Sequence, residues 1–213
     1  PAQMMSNTRD EARSAATTWP EPVSVITPDM ALRHGMHHIT AIGADIQRTD
    51  AFFGGLLGLQ RVKMTSNFDD PTSAHWYWGV DNGRPGTLIT YFERNLQDKR
   101  YHAVQMGAGQ THHYAFAVAD EATQLIYREK LLKAGLRVTP VLDRVYFKSI
   151  YTNDPDGHIV EIATAGPGFL VDEDVADLGA ALQLPPWLEQ HRATIANQLT
   201  PLQVSPWRDW EAA

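Results

Sequence analysis

The sequence predicts an α+β fold in which two tandem β-α-β-β-β modules pair their curved mixed sheets around one cleft, followed by a helical C-terminal tail. The first observation is a repeat: a His-His pair at 37–38 and another at 112–113 each open a strand-like segment, and an Asp follows each second His by seven residues. The second observation is that both copies continue through a helical stretch, a Gly-Leu pair and three further strand-like segments. The third is that residues 170–213 do not repeat.

The first copy spans about residues 35–95 and the second about 110–165. Gly-Leu pairs at 58–59 and 135–136 predict the C-terminal cap of each helix. The first copy reads as a strand at 35–42, a helix at 50–57, a strand from Arg61, a strand at 74–78, a turn at 81–86 and a strand at 87–92. The second reads as a strand at 110–118, a helix at 122–133, a strand from Arg137, a strand at 146–151, a turn at 154–157 and a strand at 158–163.

Three regions are predicted along the chain: an N-terminal extension at 1–33, a central domain at 34–169 and the tail at 170–213. Prolines at 20, 22 and 28 disfavour regular structure in the extension. In the tail, an apolar helix is expected after residues 171–174 and through Leu182, and a second helix over Trp187–Leu199. We expect this tail to pack on the sheets or to cover the mouth of the cleft.

Composition excludes several function classes. With 18 basic and 25 acidic residues, the net charge of −7 argues against a nucleic-acid or anionic-membrane partner. The absence of cysteine excludes disulfides and thiolate metal sites. No apolar run is long enough for a transmembrane helix, and the first 20 residues lack a signal-peptide core, so a cytoplasmic location is expected.

The two His-His pairs and Glu161 predict a metal site. Glu161 lies in the apolar last strand of the second copy, and the repeat places the first and last strands of each copy near one concave face. Glu161 can therefore meet one histidine from each pair. Two imidazoles and one carboxylate leave adjacent coordination positions open, an arrangement that suits iron(II) with oxygen. Strand alternation alone does not decide which histidine of each pair faces the cleft.

This pattern over residues 35–165 resembles the vicinal-oxygen-chelate superfamily, which includes glyoxalase I, extradiol dioxygenases and bleomycin-resistance proteins. Within that superfamily the chain is most similar to hydroquinone ring-cleaving dioxygenases. The segments that carry this likeness are His37–Ile42, Asn67–Pro71, Pro85–Phe92, Asp143–Tyr151, Glu161–Thr164, Pro167–Asp174 and Leu184–Trp187.

The resemblance implies that His38, His113 and Glu161 bind iron(II), with manganese(II) as the alternative, for oxygen-dependent cleavage of a small hydroquinone-type or catechol-type ring. It places five further residues around the metal as the catalytic shell: His37, Thr40, His112, Arg144 and Tyr151. In that mechanism His37 or His112 exchanges the phenolic proton. Arg144 and Tyr151 orient the substrate and stabilise negative charge.

One departure separates the chain from the hydroquinone enzymes, which carry four modules. This sequence resembles their first module joined directly to their last. The implied metal ligands are retained, while pocket walls from the other modules are not. The sequence leaves open whether the cleft closes within one chain or across a homodimer or larger homo-oligomer.

Two other functions remain open from the sequence. One is a glyoxalase-like lyase or isomerase using zinc, nickel or manganese. Thr90 disfavours it, because Thr90 occupies in the first copy the place of Glu161, where a glyoxalase-like site would have a fourth ligand. The other is a bleomycin-resistance-like binding protein, and the complete His, His, Glu set disfavours that. His75 shares the strand of Trp76 and Trp78, and we do not expect it to act directly.

Overall fold

A computed structural model of the chain describes residues 35–94 and 106–200. The predicted N-terminal extension and the end of the predicted tail lie outside these ranges. The first module contains β1 (His38–Gly43), α1 (Ile46–Asp50), a π-helical turn (Ala51–Leu56), β2 (Gln60–Ser66), β3 (Ala74–Gly79) and β4 (Leu88–Glu93). The second contains β5 (His113–Val118), α2 (Glu121–Lys133), β6 (Leu142–Asp143), β7 (Lys148–Asn153) and β8 (Ile159–Thr164).

Each module forms one mixed four-stranded sheet with the same strand order. The orders are β1-β4-β3-β2 and β5-β8-β7-β6, and the first and last strands of each module pair in parallel. The predicted α+β architecture of two β-α-β-β-β modules is therefore confirmed. No helix in the described ranges is both long enough and apolar enough to cross a membrane.

The Asp that follows each His-His pair caps the helix of its module. Asp45 accepts hydrogen bonds from the backbone N–H of Gln47 and Arg48, at 2.9 and 3.2 Å. Asp120 accepts one from Thr123 at 2.8 Å, and this holds the pKa of its carboxyl below the usual value. Both carboxylates satisfy N–H groups that a helix start leaves unpaired. The repeated Asp is thus a structural feature that fixes where each helix begins.

The second strand of the second module is shorter than predicted. The sequence predicts a strand from Arg137, but β6 contains only Leu142 and Asp143. Thr139 still contacts β7, because its N–H donates to the Tyr151 carbonyl at 3.0 Å. Pro140 follows directly, and a proline has no N–H to continue a ladder. The regular pairing therefore starts only beyond Pro140.

The tail is helical in shorter pieces than predicted. The apolar helix expected after residue 174 and through Leu182 is wrong, since that stretch contains only the 3-10 turn Val175–Asp177. Another 3-10 turn, Phe169–Val171, precedes it. Gly179 takes a positive φ of 74°, a left-handed conformation that ends a right-handed helix. The second predicted helix is present as a 3-10 turn at Pro186–His191 that continues into α3 (Arg192–Gln198).

The core lies on one face of each sheet, beneath the helices. Its fully buried side chains alternate with the residues of the opposite face, as strand geometry requires. Tyr127 of α2 also donates a hydrogen bond to the Leu57 carbonyl at 3.0 Å, which ties the helix of one module to the other. The buried apolar residues are Ile46, Phe52, Phe53, Leu57, Trp76, Trp78, Ile89, Tyr91, Tyr114, Leu131, Ile150, Val160 and Ile162.

A buried polar cluster joins the two modules. The Tyr91 and Tyr114 hydroxyls lie within hydrogen-bond distance of each other and of Asp154 Oδ2, at 3.0 Å for Tyr114, and their two protons are shared among these contacts. His158 Nδ1 lies 2.9 Å from the same carboxylate oxygen. Burial raises the pKa of both tyrosines, and the charge of Asp154 raises each further. The folded protein therefore strongly favours the neutral phenols.

This cluster predicts a loss of stability in alkali. The tyrosines favour their neutral form on folding, so their contribution is complete below the unfolded pKa of 10.0 and falls as pH rises above it. We expect the free energy of unfolding to drop above pH 10 and tyrosinate absorbance to rise together with unfolding. A variant with both Tyr91 and Tyr114 changed to Phe should show a flatter pH dependence. An unchanged slope in that variant would contradict this prediction.

Candidate metal centre

Glu161 is a buried carboxylate with a partner on each oxygen. It lies in the middle of β8 and is 2% exposed. Its Oε1 accepts hydrogen bonds from Ser149 Oγ and from Tyr151 OH, the latter at 3.0 Å. Its Oε2 lies 2.8 Å from His113 Nε2. A carboxylate removed from water requires such partners. Glu161 is therefore an inward-facing, hydrogen-bonded residue and not an outward-facing strand residue.

Both His-His pairs have the same geometry. His38 Nδ1 lies 2.9 Å from His37 Nδ1, and His113 Nδ1 lies 2.8 Å from His112 Nδ1. A neutral imidazole has one N–H and one lone pair, so one ring of each pair donates and the other accepts. When the second His of each pair donates from Nδ1, its Nε2 keeps a lone pair that can bind a metal.

The second module brings together five of the predicted site residues. A continuous set of contacts runs from His112 through His113 and Glu161 to Tyr151 and then to Arg144. The Arg144 Nη2 group donates to Tyr151 OH at 3.4 Å, and its guanidinium carbon lies 5.5 Å from the Tyr151 ring centroid. Arg144 is exposed, whereas Tyr151 is half-buried. A fixed positive charge therefore lies beside the phenol that binds the buried carboxylate.

The first module holds the other three predicted residues, which are His37, His38 and Thr40. Thr40 pairs in register with Thr90, just as Ala115 pairs with Glu161 in the second module. Thr90 is fully buried and donates to Thr40 Oγ1 at 2.8 Å. The structure thus confirms that Thr90 occupies the position of Glu161, as the repeat predicts.

His75 is close enough to His38 in this module for the charge of His38 to affect it. Burial lowers the pKa of His75, and the charge of His38 lowers it further. Within residues 35–94 and 106–200, no three His, Asp or Glu side chains are grouped closely enough to hold a metal ion. The structure therefore joins His113 to Glu161, whereas His38 contacts His37 within its own module.

Two residues of these clusters were not found from the sequence. Ser149 donates to Glu161, and His75 hydrogen-bonds to Thr90, although His75 was not expected to take part. Strand alternation contains a signal for both, because Ser149 lies two residues before Tyr151 and His75 lies two before Tyr77. Residues two apart share a face of the sheet. Ser149 therefore lies on the same face as Tyr151, and His75 on the same face as Tyr77.

Arg144 is presented by a strained turn. Val145 follows it with a positive φ of 69°, which is costly for a β-branched residue. The Val145 N–H donates to Asp143 Oδ1 at 2.7 Å, and the Arg144 N–H donates to the Phe147 carbonyl at 2.9 Å. These bonds fix the backbone on both sides of Arg144 and direct its side chain toward Tyr151.

Replacing Val145 with glycine should change the free energy of unfolding little, because relief of roughly 1–3 kcal/mol of backbone strain offsets the lost burial of this half-buried side chain and the added chain entropy. Urea denaturation measures this change. The same substitution at Val118, half-buried in β5, should instead lower the free energy of unfolding by roughly 2 kcal/mol through lost burial and added chain entropy. A similar loss at both positions would show that the turn is not strained.

Comparison with known proteins identifies the family of the chain. Residues 35–162 match the family described as the glyoxalase/bleomycin resistance protein/dioxygenase superfamily. The chain belongs to this superfamily. The resemblance inferred from its repeated modules is thereby confirmed.

Curated members of the superfamily share sequence with the chain. MhqO of Bacillus subtilis, named as a proposed ring-cleaving dioxygenase, is 26% identical over 302 positions, covering 80% of this chain and 97% of MhqO. A chlorohydroquinone/hydroquinone 1,2-dioxygenase of Sphingobium indicum is 30% identical, over 80% of this chain and 50% of its own length. The MhqO alignment is longer than this whole chain, so MhqO contains a long internal stretch that the chain lacks. This agrees with the shortening inferred from the modules.

A solved structure shows the same fold. A glyoxylase/bleomycin resistance protein/dioxygenase domain from Frankia sp. EAN1pec superimposes with a TM-score of 0.50 at 16% identity, covering 61% of this chain and 96% of the domain. At this identity the likeness concerns the fold alone. In this chain the buried carboxylate of Glu161 faces the Nε2 of His113 at 2.8 Å, which gives a two-residue donor set. That donor set fits a divalent metal.

Proposed function

We propose that the chain is a metal-dependent dioxygenase that opens the ring of a small hydroquinone-type aromatic, with iron(II) bound by His38, His113 and Glu161. One observation carries the proposal: Glu161 is buried, its Oε1 is occupied by hydroxyl donors, and its Oε2 faces His113 Nε2 at 2.8 Å. The names of the curated relatives support the reaction class. Manganese(II) and a catechol-type substrate are the alternatives within this proposal.

The two modules would each contribute imidazole to the metal, and the second would also contribute the carboxylate. His38 and His113 hold equivalent positions at the start of β1 and β5. In our proposal metal binding recruits His38 to the existing pair of His113 and Glu161. When bound, iron(II) supplies the one-electron chemistry that lets dioxygen react with an ionised ring.

Two histidines of the chain, His37 and His112, would transfer the protons of the reaction. With a metal on Nε2 of His38 and His113, the Nδ1–H of each ligand would donate to Nδ1 of His37 or His112, which would leave a proton on Nε2 of those two residues. Both side chains are exposed, so they can exchange that proton with water. To take the phenolic proton of the substrate, either residue would release the bond at Nδ1, its unprotonated nitrogen, and would return the Nε2 proton to the product.

Arg144 and Tyr151 would position the substrate. The Tyr151 hydroxyl donates a hydrogen bond to Glu161 and accepts one from the Arg144 guanidinium. Exposed N–H groups of Arg144 remain available for an ionised substrate oxygen, whose charge they stabilise. This arrangement favours the phenolate form of the substrate next to the metal.

Anaerobic iron(II) loading of the full chain, followed by an oxygen-uptake screen over substituted hydroquinones and catechols, tests the proposal. We expect stoichiometric oxygen uptake with at least one hydroquinone. No uptake with any hydroquinone or catechol would refute it. Isomerisation of a hemithioacetal by zinc-, nickel- or manganese-loaded protein would instead support a glyoxalase-like function.

A further inference from the structure

We infer that Tyr77, His75 and Thr90 form a hydrogen-bond relay that directs the Thr40 hydroxyl proton toward an oxygen of the substrate bound beside His38. This inference rests on the proposed function and assigns positioning roles to three residues of the first module. None of them is among the predicted metal ligands or the predicted catalytic shell.

The relay is continuous from the interior of the sheet to its exposed edge. Tyr77 OH lies 3.1 Å from His75 Nδ1, and His75 Nε2 lies 3.0 Å from Thr90 Oγ1. Thr90 Oγ1 lies 2.8 Å from Thr40 Oγ1. Thr90 is fully buried and His75 is 9% exposed, whereas Thr40 is exposed on the edge strand β1. The chain of bonds therefore ends at a hydroxyl that a substrate can reach.

The donor count gives the relay its direction. The Thr90 hydroxyl has one proton, and it donates that proton to Thr40. Thr90 must then accept from His75, so His75 carries its proton on Nε2. The lone pair on His75 Nδ1 accepts from the Tyr77 hydroxyl. Thr40 serves the relay only as an acceptor, so its own proton is available to a ligand.

The position of Thr40 directs that proton toward the site. Thr40 lies two residues after His38 on β1, and residues two apart share a face at roughly 7 Å spacing. A ring bound next to His38 therefore has its oxygen atoms within the reach of Thr40. The relay fixes the hydroxyl before the substrate arrives, and this lowers the ordering cost of binding.

The second module shows that this relay replaces a charged site. Register pairs Tyr77 with Thr90 and Tyr151 with Glu161, so these two tyrosines are equivalent. His75 takes the place of Ser149 in the same comparison. In the second module the serine and tyrosine hydroxyls converge on a carboxylate, whereas in the first a histidine links tyrosine to a neutral hydroxyl. The second module thus holds a carboxylate at the position where the first holds a neutral hydroxyl donor.

The tautomer of His75 tests the direction of the relay without any metal. Imidazole ¹⁵N resonances of the metal-free full chain report which ring nitrogen carries the proton, and the His75→Gln variant assigns the signal. We expect the proton of His75 on Nε2. A proton on Nδ1 would overturn the inference, because Thr90 would then donate to His75, and Thr40 would have to donate to Thr90.

Substrate affinity tests the role of the relay. In anaerobic titrations of iron-loaded protein with a hydroquinone, Thr90→Val and Thr40→Val should each weaken binding roughly 5- to 10-fold, the size of one hydrogen bond. The double variant should be no weaker than Thr40→Val alone, because Thr90 acts on the substrate only through the Thr40 hydroxyl. Thr152→Val, at a buried threonine of β7 on the opposite face, is the matched control and should bind normally.

The failure of this inference is distinguishable from the failure of the proposed function. Wild-type affinity in Thr90→Val, or additive losses in the double variant, would overturn the relay while oxygen uptake by the wild type upholds the function. A wild-type chain that retains iron but consumes no oxygen would refute the function. In that case the His75 tautomer and the hydroquinone titration still decide whether the relay orients Thr40.

Discussion

Replacing Glu161 with alanine is expected to weaken iron(II) binding at least 100-fold and to abolish oxygen uptake. Glu161 is the carboxylate of the proposed ligand set, and the change also leaves Ser149, Tyr151 and His113 without their shared partner. Removal of an outer partner of a metal site already costs roughly 10- to 100-fold in affinity, and removal of a ligand costs more. Competition with a coloured chelator measures the affinity, and an oxygen electrode measures uptake.

Two further variants make this result interpretable. Glu161→Gln keeps the volume and most hydrogen-bond capacity of the side chain, so it separates loss of the ligand from loss of folding. Glu121→Ala is the matched control, because Glu121 is exposed and pairs with Lys148 outside the candidate site. It should retain iron like the wild type. Normal iron affinity in both Glu161 variants would exclude Glu161 as a ligand.

Replacing Phe53 with alanine is expected to lower the free energy of unfolding by about 3–5 kcal/mol. Phe53 is fully buried between the modules. Its ring centroid lies 5.3 and 5.9 Å from those of Tyr91 and Trp78, and 6.1 and 6.4 Å from those of Phe116 and Tyr114. A cavity at this point removes contacts with both sheets at once. Since whole domains are stable by only roughly 5–15 kcal/mol, the loss is a large share of the total.

Phe68→Ala provides the matched control for this core variant. Phe68 is 72% exposed, so the same change of side chain should alter the free energy of unfolding by less than about 0.5 kcal/mol. Urea denaturation of both variants under one set of conditions gives the comparison. Equal destabilisation at the two positions would contradict the placement of Phe53 at the junction of the modules.

The sequence predicts the modules well because each strand and helix has a counterpart at the matching position of the other copy. The Asp after each His-His pair proves to be a helix cap, and the glycines at 58 and 135 take the positive φ that ends each helix. The same repeat correctly equates Thr90 with Glu161, since both pair with the tyrosine of the neighbouring strand. Pattern and register are short-range properties, and they can be read from spacing alone.

Other features depend on contacts that spacing does not contain. Pro140 removes regular pairing from a segment whose side chains otherwise resemble a strand, and Gly179 ends a helix that the apolar residues of the tail favour. The inward set of histidines likewise could not be chosen from alternation. In the structure, His113 contacts Glu161, a residue 48 positions later in the chain, and spacing does not contain that contact. The boundaries at 34 and 169 and the full metal ligand set stay predictions.

X-ray absorption at the iron edge of the anaerobically loaded full chain tests the central claim most directly. The account predicts one iron(II) per chain with two imidazole ligands and oxygen ligands, and the loss of one imidazole in His38→Ala. It also predicts that His34→Ala leaves the spectrum unchanged. Iron bound through a single imidazole, or a spectrum that His38→Ala does not alter, would contradict a site formed by His38, His113 and Glu161.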